Sequence, residues 1–293
     1  MNQAVRKKAN MRTLVHLSDL HFGRVDRALV EPLSELVGRI KPDVVIVSGD
    51  LTQRARTEQF KDARRFLDSL PSPQIVVPGN HDVPLHDIFS RFLQPLDKYR
   101  RYITDDLEPF YADDAIAVLG INTARSLTIK HGRINEQQIA RARARLCPLG
   151  ADVTKIIVTH HPFDLPDGYE DKEIVGRARM AMEMFANCGA DLLLAGHLHV
   201  SHTGNTAARY KIRGHSALVV QAGTATSTRG RGESNAFNVL HISHPHINIE
   251  RFTWQPEQGT FVVSTTEPFQ HSSGGWSRIT SRDFPGSAGF KVP

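Results

Sequence analysis

Aspartates, histidines and one asparagine recur along the first 200 residues, each time just after an apolar run. "TLVHLSDLH" ends in Asp19 and His21, "VVIVSGD" in Asp50, and "IVVPGNHD" in Asn80, His81 and Asp82. "IIVTHHP" carries His160 and His161, and "LLLAGHLH" ends in His197 and His199. A lone histidine after a strand is ordinarily a satisfied surface or core residue, and Gly-Asp is ordinarily a turn. Five such endings together suit a metal. Mixed oxygen and nitrogen donors without thiolates fit Mn, Fe or Zn rather than a structural cysteine-type zinc site. The groups exceed what one ion takes from protein. Two ions sharing a carboxylate would use them, and such pairs activate water for in-line displacement at phosphorus.

The runs that carry these residues read as strands: 13–17, 43–49, 74–79, 115–121, 155–160 and 191–196. They are short, β-branched and nearly continuous, as in strands buried on both faces. Amphipathic helices lie between them. Leu29, Leu33, Leu36, Val37 and Ile40 share one helical face, and so do Ala181, Met184, Phe185 and Cys188, with Gly189 as a C-terminal cap. Asn135 and Gln138 form a capping box for the next helix. Strands alternating with helices predict an α/β sheet, in which ligands bind at the C-terminal strand ends. Glycines 49, 79 and 196 let the chain turn there. After residue 200 the pattern becomes mostly β, with "ARYKIRG", "ALVVQAG", "AFNVLHIS", "INIERFTW" and "TFVVSTT" read as strands.

The chain therefore reads as one domain over residues 1–265, followed by a Gly/Ser-rich tail over 266–293 onto which Trp276 and Phe284 can dock. Segment 83–111 carries helical pattern with Lys98, Arg100 and Arg101. It is either a lid or cap insertion over the site or, more simply, a peripheral helix with a solvated face.

Of 293 residues, 40% are hydrophobic and 23% charged, an ordinary globular balance. No apolar run approaches the roughly 18–20 residues of a membrane span. The basic start has no apolar signal core, so the default location is cytoplasmic. Cys147 and Cys188 stand far apart and are expected to behave as small core residues. The net charge of +5 suits an anionic substrate, and 15 histidines invite metal or proton chemistry.

Asp19-Leu-His21, Gly49-Asp50, Gly79-Asn80-His81-Asp82, His160 and Gly196-His197-Leu-His199 resemble the ordered motifs of the calcineurin-like metallophosphoesterases. The resemblance spans residues 13–199 and implies a four-layer αββα sandwich with two divalent or mixed-valence ions (Mn, Fe or Zn). Carried over by position, it implies one metal on Asp19, His21 and His199, the other on Asn80, His160 and His197, and Asp50 as the bridge. It implies that His81 contacts the phosphate and protonates the leaving oxygen. Asp82 would then orient His81, or alternatively only stabilise its turn. His161 reads as a supporting or surface group.

"GDLTQRA" and "GNHD" depart from the "GDxxDRG" and "GNHE" of the protein phosphatases. "HLSDLHFGR" looks like the DNA-repair nucleases, whereas "THHPF" and "GHLHV" look more like the class III phosphodiesterases. The favoured reading is hydrolysis of a small phosphodiester, of cyclic-nucleotide or glycerophosphodiester type, by metal-activated hydroxide. A DNA-repair-type nuclease and a nucleotide-sugar pyrophosphatase are the enzymatic alternatives, and a metal-dependent scaffold the non-enzymatic one. Asn80 and His81 are the expected substrate contacts, with Asn122 and Arg125 placed to approach the metal edge. Arg229 and Arg231 read as a solvated loop. The expected partner is a small molecule rather than nucleic acid, and a homodimer is left open.

Overall fold

Two sheets face each other across an apolar core, and each carries helices on its outer side. The structure, a computed structural model, describes residues 11–280 except 86, 127–129 and 230–231, and leaves aside the side chains of 88 and 90. The first sheet begins with β1 (Arg12–Leu17), β2 (Val44–Val47) and β3 (Gln74–Val76) and takes the late strands β10 (Ala236–Ser243), β11 (His246–Gln255), β12 (Thr260–Ser272) and β13 (Gly275–Arg278). Its order is β13-β12-β11-β10-β1-β2-β3, with β1, β2 and β3 parallel. The second sheet contains β4 (Phe110–Ala112), β5 (Ile116–Gly120), β6 (Thr154–Val158), β7 (Leu192–Ala195), β8 (His202–Asn205) and β9 (Leu218–Gln221). Its order is β4-β5-β6-β7-β9-β8, and β5, β6, β7 and β9 are parallel.

Alternation along each strand builds three layers of core. Leu14, Val44, Ile46, Ile156, Val158, Leu192 and Leu194 meet between the sheets. Val15, Leu17, Val45 and Val47 face outward and are covered by α1 (Arg27–Ile40) and α2 (Thr57–Ser69). Ile157 and Leu193 face the other way, under α5 (Glu136–Leu146) and α6 (Ala178–Asn187). The αββα expectation holds, and so do its local signals. Asp26 caps α1 by accepting from the Ala28 amide at 3.0 Å. Gln138 N donates to Asn135 Oδ1 at 2.8 Å and Asn135 N to Gln138 Oε1 at 3.1 Å, which is the expected capping box. Gly189 closes α6 at φ +68°.

Segment 83–111 folds as two short helices, α3 (Ile88–Leu93) and α4 (Asp97–Tyr102), leading to β4. Tyr99 is buried, its hydroxyl donates to the Val76 carbonyl at 3.0 Å, and its ring meets Phe60 of α2 edge-on. The α4 half is thus packed against α2 and β3, while α3 leaves Phe89, Phe92 and Leu93 exposed.

Three expectations are corrected. "ARYKIRG" is not a strand: Asn205 Oδ1 accepts from Ala207 N and starts a helical turn, α7 (Ala207–Tyr210), that Tyr210 pins to the Phe163 carbonyl. The chain does not leave the domain at residue 266. β12 and β13 continue the sheet to Arg278, and buried Trp276 donates to Asp191 Oδ1 at 3.0 Å, while Phe284 lies outside the described residues. Cys147 and Cys188 are not separate core thiols but a disulfide joining the C-terminal ends of α5 and α6. Such bridges persist in oxidising surroundings, so the cysteines lend no support to the cytoplasmic default. For the 41-residue separation the chain-entropy model gives about 4 kcal/mol of stabilisation. Cys188→Ser should therefore cost about 2–4 kcal/mol in urea unfolding, lowering the midpoint and raising the slope as the unfolded chain is released. An unchanged midpoint would show that the bridge constrains nothing.

Candidate metal centre

The five motif endings meet at one edge of the sandwich, because β1, β2, β3, β6 and β7 all point their C-terminal ends there. Among the described residues nine non-glycine positions have positive φ, and five of them are Asp19, His21, Asp50, His197 and His199. Each such backbone costs about 1–3 kcal/mol. It is held by strand-like bonds between the loops, Asp19 N to the Gly49 carbonyl at 3.1 Å and His21 N to the Asp50 carbonyl at 2.9 Å. The glycines act differently from expectation. Only Gly49 is itself left-handed (φ +97°). Gly79 and Gly196 are needed because a Cβ would collide with Asp50 in one case and with Ser18 and Asp19 in the other.

Two sets of donor atoms result. Asp19 Oδ1 lies 3.5 Å from His21 Nε2 and 3.6 Å from His199 Nε2. Asn80 Oδ1 lies 3.1 Å from both His160 Nε2 and His197 Nδ1. Asp50 Oδ2 stands between the sets, 3.7 Å from His21 Nε2 and 3.3 Å from His160 Nε2. Each set draws on both sheets: Asp19 and His21 follow β1 and His199 follows β7, while Asn80 follows β3 and His160 and His197 follow β6 and β7.

These atoms fit metal ions. Asp19 Oδ1 and both ring nitrogens of His21 are buried without a hydrogen-bond partner, a costly state for polar atoms unless something else binds them. Three of these histidines have one ring nitrogen committed to an acceptor, which leaves the other free. His160 Nδ1–H donates to the Ser48 carbonyl at 2.9 Å, His197 Nε2–H faces Glu173 Oε2 at 3.3 Å, and His199 Nδ1–H faces Thr224 Oγ1 at 3.3 Å. The lone pairs left over are those that face the two sets. His161 is excluded, since Nδ1 meets Thr123 Oγ1 at 2.7 Å and Nε2 the Lys130 carbonyl at 2.8 Å.

The electrostatics match. Burial opposes ionisation of Asp19 and Asp50, yet the histidines around them outweigh it and hold both carboxyls below their usual range. Burial likewise disfavours the His160 imidazolium, but the charge and hydrogen bond of Asp50 carry it up to about 9. Burial takes His199 down to about 4.

The remaining expected residues divide. His81 stands at the centre: its backbone N–H donates to Asp50 Oδ1 at 2.8 Å and its Nδ1–H to the Gln53 carbonyl at 2.9 Å. Asp82 does not orient that ring. Its carboxylate accepts from the amides of Gly79, Leu51 and Thr52 and from Thr52 Oγ1, so the turn-stabilising alternative is the one found. Arg125 does not reach the centre either. Its guanidinium donates to the Asn122 and Ala124 carbonyls and to Gln138 Oε1, bracing the start of α5 beside a groove of about 430 Å³ that no ligand residue lines. Asn122 is occupied in the same turn, its Oδ1 accepting from Ala124 N. Arg229 is not solvated but half-buried, with Nη1 2.9 Å from His81 Nε2, while Arg231 lies outside the described residues. The signal for Arg229 was the run of small hydroxyl residues before it. Thr224 and Thr226 bond the carbonyls of Asp19 and Leu20 and lay the 224–229 loop against the first ligand loop. Glu173, which belongs to none of the five motifs, gave no signal.

A family profile described as Calcineurin-like phosphoesterase matches residues 12–201. The chain belongs to that family. It is 30% identical over 176 residues to a glycerophosphodiester phosphodiesterase, GpdQ, of Enterobacter lignolyticus (strain SCF1), covering 54% of this chain and 60% of that one. It is 28% identical over 198 residues to a probable cyclic nucleotide phosphodiesterase of Rhodopseudomonas palustris, covering 63% of this chain and 70% of the relative. The match thus spans less than two thirds of the GpdQ relative. Among solved structures, the purple acid phosphatase PPD1 of yellow lupin superposes at TM-score 0.65 with 12% identity, over 87% of this chain and 53% of that one. PhoD superposes at 0.68 with 9% identity, over 94% and 73%, and both share the fold.

Two outcomes are expected. The fully loaded protein should carry about two ions per chain by elemental analysis, and Asp50→Asn should weaken both sites by removing the charge between them. One ion in the loaded wild type would refute the paired arrangement. Loading should also release protons, because His160 must lose the proton that Asp50 holds on it up to about pH 9. Affinity should therefore fall as pH drops below that value. Calorimetry in buffers of different ionisation heat reads the proton count, and no buffer dependence at pH 7 would contradict it.

Proposed function

We propose that the chain is a metal-dependent hydrolase of phosphoric esters acting on a small phosphodiester of cyclic-nucleotide or glycerophosphodiester type. The observation that carries this reading is the position of Asp50 Oδ2 between two sets of three donors. The two relatives named as phosphodiesterases support the diester. The donor chemistry suits Mn, Fe or Zn, and a pair of such ions would supply Lewis-acid polarisation of a phosphoryl oxygen and a water of lowered pKa. The chain's own residues do the rest. Asp50 balances charge between the sites, Ser48, Glu173 and Thr224 fix the ligand tautomers, and Asn80 and His81 line the substrate side.

Arg229, expected on a solvated loop, instead sets a cation beside the centre. It favours a second reading in which phosphomonoester dianions, which carry more charge, are also used well. Comparing kcat/KM for bis-p-nitrophenyl phosphate and p-nitrophenyl phosphate, at one pH and one Mn²⁺ concentration, separates the two. A diester preference is expected. A monoester advantage of about tenfold, equivalent to 1.4 kcal/mol, would replace the first reading by the second. No turnover of either ester with Mn, Fe or Zn would leave the scaffold alternative.

A further inference from the structure

Arg229 reaches the centre on a loop with little freedom. Ala225 N donates to the Ser18 carbonyl at 3.0 Å, Asp26 N to the Thr226 carbonyl at 2.9 Å and Thr228 N to the Arg24 carbonyl at 3.1 Å. The Arg229 amide itself donates to Ser227 Oγ at 3.1 Å. The guanidinium lies against the ring of His81 rather than against an acid, and among the described residues no carboxylate forms an ion pair with it. Burial lowers its pKa, while Asp50 and Asp19 pull the other way, which places the cation within the field of the ligand carboxylates.

The direction of the Arg229–His81 bond is fixed by chemistry. A guanidinium has N–H donors and no acceptor. His81 Nε2 must therefore accept, and the single proton of the neutral ring sits on Nδ1, where it is donated to Gln53. The chain of bonds runs one way, from Arg229 through His81 to the Gln53 carbonyl. On the side that faces the centre, His81 has no proton to give. Among the described residues Arg229 has one side-chain N–H engaged, which leaves donors for an oxyanion in the forked geometry that suits phosphate.

We propose that Arg229, held in place by His81 Nε2, is the residue that binds the non-bridging phosphoryl oxygens, and that His81 is a positioning residue rather than a proton donor. The proposal rests on the phosphoester reading of the site and deepens it. It moves the role expected of His81 onto a side chain in a different part of the chain.

Inorganic phosphate and a set of variants test it. Calorimetric titration of phosphate into the metal-loaded protein should show affinity reduced about tenfold or more in Arg229→Met and partly restored in Arg229→Lys, with the ion content of the wild type in both. For bis-p-nitrophenyl phosphate, Arg229→Met should lower kcat/KM about 10²-fold, the scale of losing one oriented donor. His81→Gln keeps an acceptor for Arg229 and a donor for the Gln53 carbonyl, so it should recover most of the activity that His81→Ala loses, whereas His81→Ala should fall to the level of Arg229→Met. Phosphate affinity within twofold of wild type in Arg229→Met would overturn the oxyanion contact. Equal losses in His81→Gln and His81→Ala, growing as the leaving group becomes poorer, would return His81 to the proton-donor role. Should the wild type hydrolyse no ester at all, the functional reading fails, and the phosphate titration still decides the role of Arg229.

Discussion

The buried carboxylate of Asp50 is the constraint around which the site is built. One oxygen takes the His81 amide, and the other lies 3.3 Å from His160 Nε2 and 3.7 Å from His21 Nε2. A carboxylate this deep is tolerable only among donors and cations. The backbone on either side is arranged to supply them. Asp82 gathers the amides of Leu51 and Thr52, and the 19–22 loop runs beside 49–51 like an extra rung of the β1–β2 pairing. The left-handed backbones and the close approach of Gly79 result from packing so many polar loops around one small group.

Most of the centre was legible because its chemistry sits where the hydrophobic pattern stops. Apolar runs such as 44–47 and 192–194 could only be strands buried on both faces, and the residues just past them are polar by contrast. Register then aligns their ends without further information. The same logic explains the capping box at Asn135, where a local bond decides the structure.

The features that were not legible depend on distant partners. Arg229 meets His81 across 148 positions, and only the hydroxyl residues before it set its loop apart from an exposed turn. Glu173 acts on His197 from a short 3-10 turn of no distinctive pattern. The Cys147–Cys188 bridge needs two helix ends to converge, which spacing alone cannot reveal. Arg125 looked apt for phosphate by its position after β5, but neighbouring carbonyls and Gln138 claimed its donors. The Gly/Ser content of residues 272–275 suggested a tail where the chain makes a hairpin instead.

Because each donor set takes residues from both sheets, the site is a clasp across the sandwich rather than a pocket cut into one half. Neither half can be inherited, swapped or pared back while keeping even one complete set. A fragment ending after β3 would hold Asp19, His21, Asp50 and Asn80 yet lack every histidine that closes their circles. Divergence in this chain is thereby pushed outward, into the helices, the edge strands and loops such as 224–229. There a substitution can retune what the clasp grips without loosening its hinge.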